Sequence, residues 1–472
     1  MSRTIEFFYE IAKIPRESGN EVQIAEYLCT FAKKRNLFYV KDEYNNVIIK
    51  KKNADKEPII LQAHTDMICE KEEGLDFDFS KDPINVYEEN GVLRARGTTL
   101  GADNGIGIAQ VLNILDDDNI KCNVEAVFTA TEETTMIGAE KIDVSLLKSK
   151  KMINLDGFED NTIIKESVSF FDILIKQNNS FEKLDESENK DVSLNIYEIT
   201  LKGLKGGHSG FDIGKNRGNS AQELAYIVKD MENIRLIDFV AGSKFNVIPS
   251  IGKCTFISTN SLQNVENKVE NYLKEKRKIF EKLEVEVKQI NGNCKLKEVE
   301  NITYMDNLNS LNYLNSIINF AHGVYKVNSR EEITTSINLG ACDLRNQIFK
   351  IGMRSSKKRE EKECLEYIND YAINNSYSME ILGSQPGFET KSSSDFIKLI
   401  KDSYKRVDKE DKLKVKSVHI TVEAGFFKEK IEDLEIAIIS PKIENAHTVE
   451  ECVEIESVNK CDNWIRYIIE GL

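Results

Sequence analysis

The chain has 472 residues, of which 40% are hydrophobic and 30% charged, the composition of a globular protein too long for one ordinary core. Its formal net charge of −15 disfavours nucleic acid or an anionic membrane as the main partner, because both need a basic face. No apolar run reaches the ~18–20 residues of a transmembrane helix, and the N-terminus lacks the basic-then-apolar order of a signal peptide.

Apolar spacing predicts a helix over 4–14, ended by Pro15, and a second over 21–34. A buried strand over 58–63, a helix over 105–115 and strands over 124–129 and 151–155 follow. This alternation reads as an α/β domain with a mixed, largely parallel sheet. The pattern then changes. Strands are expected at 170–176, 196–201, 238–247, 253–258 and 283–290, with helices at 220–233 and 265–281. A second series follows: helices at 308–322 and 360–374, and strands at 334–339, 347–353 and 378–382. The two series run in similar order, as ferredoxin-like units do, so 168–385 reads as an inserted α+β domain that a duplication would explain. The first style returns at 386–472, with a helix at 392–404, strands at 414–421 and 434–440, and a closing helix at 457–470. The first domain, 1–167, is therefore expected to be discontinuous and completed by 386–472.

Nine cysteines, Cys29, Cys69, Cys122, Cys254, Cys294, Cys342, Cys364, Cys452 and Cys461, make an odd count with no Cys-x-x-Cys pair. They read as free thiols of a soluble cytoplasmic protein. The basic clusters at Lys357, Lys358 and Arg359 and at 412–416 read as solvated surface.

Polar residues recur where apolar runs end. His64-Thr65-Asp66 follows the 58–63 run; on an extended chain His64 and Asp66 share a face, so the carboxylate could fix the imidazole tautomer. Alone, the pair is equally a surface ion pair. Asp103, in the glycine-rich stretch 97–107, precedes a helix and is by itself equally an N-cap. The spacing fits neither a dinucleotide fingerprint nor a P-loop. Glu132 and Glu133 follow the 124–129 strand; adjacent acids repel unless solvated or beside a cation. Asp156 ends another strand, and His447 follows the 434–440 strand. Together, oxygen and imidazole donors without cysteine suit zinc, manganese or cobalt, and a shared carboxylate would make a two-metal site.

These residues, in this order, resemble the M20 co-catalytic metallopeptidases. LQAHTDMICEK (61–71), GTTLGADNGIGIA (97–109), GLKGGHSGFDI (203–213) and KFNVIPS (244–250) are similar to the aminoacyl-histidine dipeptidase branch. The resemblance implies a catalytic domain plus an inserted lid, two divalent ions (zinc first, cobalt or manganese as alternatives) and small peptide substrates. It implies that Asp103 bridges the ions, that His64 and Asp156 complete one site, and that Glu133 and His447 complete the other. Glu132 would be the general base and Asp66 would orient His64. In the lid, His208 would polarise the substrate carbonyl, while Asn246, Arg354 and Gly425 would hold the substrate, Arg354 by its carboxylate. A doubled lid could supply His208 from the same chain, so a monomer and a homodimer are both compatible. The chain has Asn445-Ala446-His447-Thr448 where the family often has Gly-Pro-His-Ser, and Glu423-Ala424-Gly425 where it often has Glu-Cys-Gly. His322 is read as a core or surface histidine and His419 as structural or pocket-lining.

The activity expected is hydrolysis of Xaa-His and other dipeptides. A tripeptidase or an N-acyl amino acid amidohydrolase is the alternative within the fold. A non-catalytic peptide-binding or scaffold protein is the alternative of another class.

Overall fold

A computed structural model describes residues 1–53, 56–184, 194–290, 302–409 and 412–472. Cys294 lies outside the described residues. The chain divides into two compact units: Met1–Ser167 with Pro386–Leu472, and Val168–Gln385.

The first unit is built on an eight-stranded mixed sheet. Its order is Phe38–Lys41, Val47–Lys51, Val124–Thr129, Ile59–His64, Lys151–Asn154, Glu435–Ile438, Thr162–Glu166 and Lys414–Ser417. The four strands in the middle of that order, from Val124–Thr129 to Glu435–Ile438, are mutually parallel. The flanking pairs that join Val47–Lys51 and Thr162–Glu166 to them are antiparallel. Alternation along each strand supplies two cores at once. Ile59, Leu61, Ala63, Val124, Ala126 and Phe128 enter one core with the helices Arg3–Ile11, Val22–Lys34, Ala102–Asp116 and Ile455–Glu470. Ile60, Val127, Met152, Ile436 and Ile438 enter the other, with Phe426 and Phe427 of the helix Ala424–Lys430. Burial on both faces explains why these strands read as continuous apolar runs.

The second unit carries a nine-stranded sheet in which every neighbouring pair is antiparallel. Strands Asn195–Lys202, Arg235–Gly242, Gly252–Ser258 and Glu284–Gln289, with helices Ser220–Lys229 and Leu262–Lys276, form one βαββαβ set. Strands Ser169–Lys176, Ile333–Asp343, Ile348–Ser355 and Ser378–Gln385, with helices Asn307–Asn319 and Lys358–Asn374, form a second. In both, the sheet order is fourth, first, third, second strand, which is the ferredoxin-like arrangement. Arg235–Gly242 pairs with Ile333–Asp343 and makes the two sheets one. The first set is inserted between the first strand and the first helix of the second.

Several elements differ from their sequence expectation. The first helix ends at Ile11 rather than at Pro15. The expected strand over 238–247 is two, Arg235–Gly242 and Val247–Ile248. Gly242 has φ +71°, and a Cβ there would lie 2.1 Å from the Gly340 carbonyl oxygen, so the strand has to turn. The strand expected over 414–421 stops at Ser417, after a register shift between Lys416 and Ser417. No helix among the described residues is long and apolar enough to cross a membrane.

Candidate metal centre

The polar residues of the first unit gather where the parallel strands end, the usual place for sites in such sheets. His64 is the last residue of Ile59–His64, and its side chain is fully buried. Asp156 lies two residues past Lys151–Asn154, and Glu132 and Glu133 lie just past Val124–Thr129. His447 lies beyond Glu435–Ile438. Two backbone positions here are strained: Thr131 has φ +57° and His447 has φ +66°, left-handed values that favour glycine.

Asp103 is the centre of the arrangement. Its Oδ1 lies 3.0 Å from His64 Nε2 and its Oδ2 lies 3.0 Å from His447 Nε2. It is not an N-cap. Its carboxylate faces the two imidazoles and accepts no helix N–H among the described residues, and the backbone is non-helical at Asp103 (φ −81°, ψ 110°) and Asn104, with a cis peptide between them.

Each of the two Nε2 atoms faces more than one carboxylate. His447 Nε2 is also 3.0 Å from Glu133 Oε1, and His64 Nε2 is 3.8 Å from Asp156 Oδ1. One Nε2 proton cannot be given fully to two acceptors, and buried Glu133 Oε1 is left without a hydrogen bond. A cation between the donors would satisfy all of them. Ligand atoms within 4.8 Å of one another define three groups: His64, Asp103 and Asp156; Asp103, Glu133 and His447; and His64, Glu132 and Glu133. The first two share Asp103. Three or more hard oxygen and imidazole donors converging in a buried place fit a divalent metal ion.

The protonation tendencies show how crowded the charges are. Burial pulls His64 down, but Asp103, Asp66 and Asp156 outweigh it and hold it well above the ordinary histidine value. Asp103 and then Glu133 push His447 up to about 10. Burial would raise Asp103, but His447 and His64 overcome it and hold the carboxyl below its usual range. Burial first, and then Asp156, push Glu132 well above the usual carboxylate range; burial and then Asp103 do the same to Asp156.

Asp66 joins His64 to the backbone of Glu132 and Glu133. Its Oδ1 lies 3.4 Å from His64 Nδ1, long for a hydrogen bond, and accepts the backbone N–H of Glu132 at 3.0 Å. Its Oδ2 accepts the Ser18 hydroxyl at 2.8 Å and the Glu133 N–H at 3.1 Å.

The second unit carries the expected lid residues His208, Asn246 and Arg354. Arg354, on Ile348–Ser355, is buried; its Nε donates to Ser209 Oγ at 3.2 Å and its Nη2 lies 3.4 Å from His208 Nε2. The guanidinium carbon is 4.3 Å from the Phe170 ring centre. Asn246 accepts the Ser209 N–H on its backbone oxygen at 2.8 Å. Burial and then Arg354 push His208 down to about 4, so its imidazole is neutral at pH 7. Gly425 is buried in the first unit, and a Cβ there would lie 1.8 Å from the Pro386 carbonyl oxygen. His322 is structural: its Nδ1 accepts the Leu339 N–H at 3.2 Å.

Some residues were given no role from sequence. Asn104 Nδ2 donates to the Leu155 carbonyl at 2.9 Å. Glu423 is fully buried and accepts from Thr129 Oγ1 at 2.9 Å and from Gln62 Nε2. Burial pushes it up to about 7. Its apolar flanks, Val422 and Ala424, were the available signal of a buried acid. Arg16 and Glu451 are also buried in this unit, and no pattern marked them.

The profile of peptidase family M20/M25/M40 matches residues 60–471. The chain is 30% identical over 475 residues to the cytosol non-specific dipeptidase of Escherichia coli (strain K12), covering 96% of this chain and 94% of that one. Among solved structures, aminoacylhistidine dipeptidase from Vibrio alginolyticus superposes with a TM-score of 0.84 at 25% identity, over 100% of this chain and 96% of that one. A tripeptidase from Staphylococcus aureus subsp. aureus Mu50 shares the fold, with a TM-score of 0.55 at 15% identity over 99% of this chain and 97% of that one.

Proposed function

The chain belongs to peptidase family M20/M25/M40, and we propose that it is a metal-dependent dipeptidase with two divalent ions, zinc foremost, held by the strand-end cluster. The observation that carries the reading is Asp103, whose two oxygens each face one imidazole at 3.0 Å. A carboxylate so placed suits the shared ligand of two ions. His64 and Asp156 would complete one site, and Glu133 and His447 the other.

When bound, the ions would supply Lewis-acid polarisation of the peptide carbonyl and a water acidic enough to attack it at neutral pH. The chain's residues do the rest. Glu132 takes the proton from the attacking water and gives it to the departing amine nitrogen. A carboxylate raised by burial and by Asp156 suits such an exchange. Asp66 orients His64 and holds the 132–133 backbone. His208, neutral at pH 7, donates a hydrogen bond to the carbonyl oxygen as it gains charge. Arg354 grips the substrate carboxylate, with Asn246 and the backbone at Gly425 fixing the peptide. All proposed metal ligands lie in the first unit of one chain, and His208 could come from the same chain or from a second copy, so the reading fits a monomer or a homodimer. Free thiols at the eight described cysteines support a cytoplasmic location.

Dipeptides fit this reading better than longer peptides, since the relative at 30% identity and the structure at a TM-score of 0.84 are named as dipeptidases, whereas the tripeptidase reaches a TM-score of 0.55 at 15% identity. The test is a panel of dipeptides, including Xaa-His, beside tripeptides and N-acyl amino acids, run on protein reconstituted with zinc, cobalt or manganese. Turnover of the N-acyl compounds alone would sink the dipeptidase assignment. Absence of turnover with every metal would favour a peptide-binding protein.

A further inference from the structure

Buried behind the cluster is a pair of charges that touches no proposed ligand side chain. Arg16 follows the first helix and is 2% exposed; Glu451 follows His447 by four residues and is also 2% exposed. Glu451 Oε2 accepts the backbone N–H groups of Leu100 and Gly101, each at 2.9 Å, and its Oε1 accepts the N–H of Asp103 at 3.1 Å. Arg16 works from the carbonyl side. Its Nη1 donates to the backbone oxygens of Thr65 at 3.1 Å and Asp66 at 2.9 Å, and its Nη2 donates to the backbone oxygen of Gly101.

The residue between the two charges is Gly101. Its N–H goes to the carboxylate and its C=O to the guanidinium. It has φ +68°, and a Cβ there would lie 2.4 Å from Arg16 Nη2. Glycine is thus required on both counts. Three main-chain N–H groups on Glu451 and three main-chain oxygens on Arg16 offset part of the cost of burial, which still raises Glu451 to about 7 and lowers Arg16 from its ordinary value.

We infer that Arg16 and Glu451 form a positioning clamp that sets the Asp103 loop against the His64–Asp66 segment, and thereby fixes both metal sites together. The inference rests on the two-metal reading of Asp103. The loop is otherwise ill-suited to hold a ligand: it is glycine-rich, left-handed at Gly101 and non-helical at Asp103 and Asn104. Ligand geometry has to be kept within about 0.5 Å, and a glycine-rich loop does not supply that on its own. Arg16 joins the loop to the strand end that carries His64. Glu451 joins it to the segment that carries His447. The clamp therefore connects the shared ligand to one ligand of each site.

The discriminating experiment is titration of metal-free protein with zinc, and with cobalt followed by its visible spectrum, against a chromophoric chelator. Glu451→Gln keeps the side-chain volume but turns a donor towards the N–H groups. It is expected to weaken both sites together, each about 10- to 100-fold, as loss of an outer-shell partner does. Gly101→Ala, which crowds Arg16 from the other side, is expected to give the same joint loss. Glu125→Gln is the control. Glu125 Oε2 also accepts two backbone N–H groups, of Lys148 at 2.8 Å and Ser149 at 3.1 Å, but on Val124–Thr129 at the end away from the cluster. It is expected to lower stability without moving either affinity. Wild-type affinities in both Glu451→Gln and Gly101→Ala, or losses no larger than those of Glu125→Gln, would overturn the clamp. A wild-type protein that binds no divalent ion would overturn the two-metal reading itself, which is a separate failure.

Discussion

The Asp66 carboxylate accepts the backbone N–H of Glu132 at 3.0 Å, so the side chain that borders His64 also sets the backbone of the proposed general base. The neighbouring N–H, of Glu133, goes to the other Asp66 oxygen at 3.1 Å. One carboxylate thus couples the end of Ile59–His64 to the turn after Val124–Thr129. That Asp66 lies beside His64 is legible from their spacing. The two backbone bonds are not, because they span 66 and 67 residues of chain.

Asp66→Asn should therefore cost more than a loss of histidine orientation. The amide would present a donor to at least one of two N–H groups. We expect kcat/KM to fall about 10- to 100-fold, with weaker metal binding, as when an outer-shell partner is lost. Steady-state kinetics and metal titration check this, and wild-type values in both would contradict it.

Glu132→Gln separates the base from the ligands. Metal content should stay at the wild-type level, because His64, Asp103, Glu133, Asp156 and His447 are intact. The fall in kcat should be about 10²- to 10⁴-fold, the usual worth of a positioned acid–base group. Loss of metal with unchanged specific activity per bound ion would reverse the roles assigned to Glu132 and Glu133.

Arg354→Ala tests the substrate grip. Losing a charge-assisted hydrogen bond costs about 1.5–3 kcal/mol, which would appear mainly as a KM raised about 10- to 100-fold. Metal content should not change. A lowered kcat with unaltered KM would speak against carboxylate recognition by this residue.

Chelation should abolish activity, and re-addition of metal should restore it. The metal-free protein should also gain a pH dependence. His447 is raised from its ordinary 6.5 to about 10 by Asp103 and Glu133. The stability it contributes is therefore complete below about 6.5 and is lost as pH rises through about 10. The melting temperature of chelated protein should fall across that window. That of loaded protein should not follow it, because ligation requires neutral imidazole. Parallel curves for the two forms would contradict the metal reading.

The second unit should respond to acid instead. Burial holds His208 and His322 down at about 4 each, with Arg354 adding to the effect at His208. Their neutral forms are favoured in the folded state. The stability this gives is present above about 6.5 and is lost as pH falls through about 4. His322→Gln keeps an acceptor for the Leu339 N–H but cannot titrate. It should flatten the acid side of the unfolding curve, measured by far-ultraviolet circular dichroism between pH 6.5 and 4. An unchanged slope would show that His322 does not carry it.

Legibility in the sequence followed local apolar patterning. Val124–Thr129, Lys151–Asn154 and Lys358–Asn374 could be read because runs buried on both faces, or periodic along a helix, declare themselves locally. Phe38–Lys41, Thr162–Glu166 and the pair Val86–Glu89 and Val92–Ala95 went unread. Strands of four or five residues that mix charge with apolar side chains become strands through their partners.

For the candidate site, the amino-acid sequence by itself determined which donors stand at strand ends and that none of them is a cysteine. It could also present the motif order that resembles the family. Only the tertiary structure decided that Asp103 faces both His64 and His447, that it is not an N-cap, and that Arg16 and Glu451 grip its loop from opposite sides. The physical reason is that a motif records spacing along the chain. Asp103 meets side chains 39 and 344 residues away, and the contacts of Arg16 and Glu451 reach main-chain N–H and C=O groups between 49 and 351 residues away, which carry no mark of the residue they belong to.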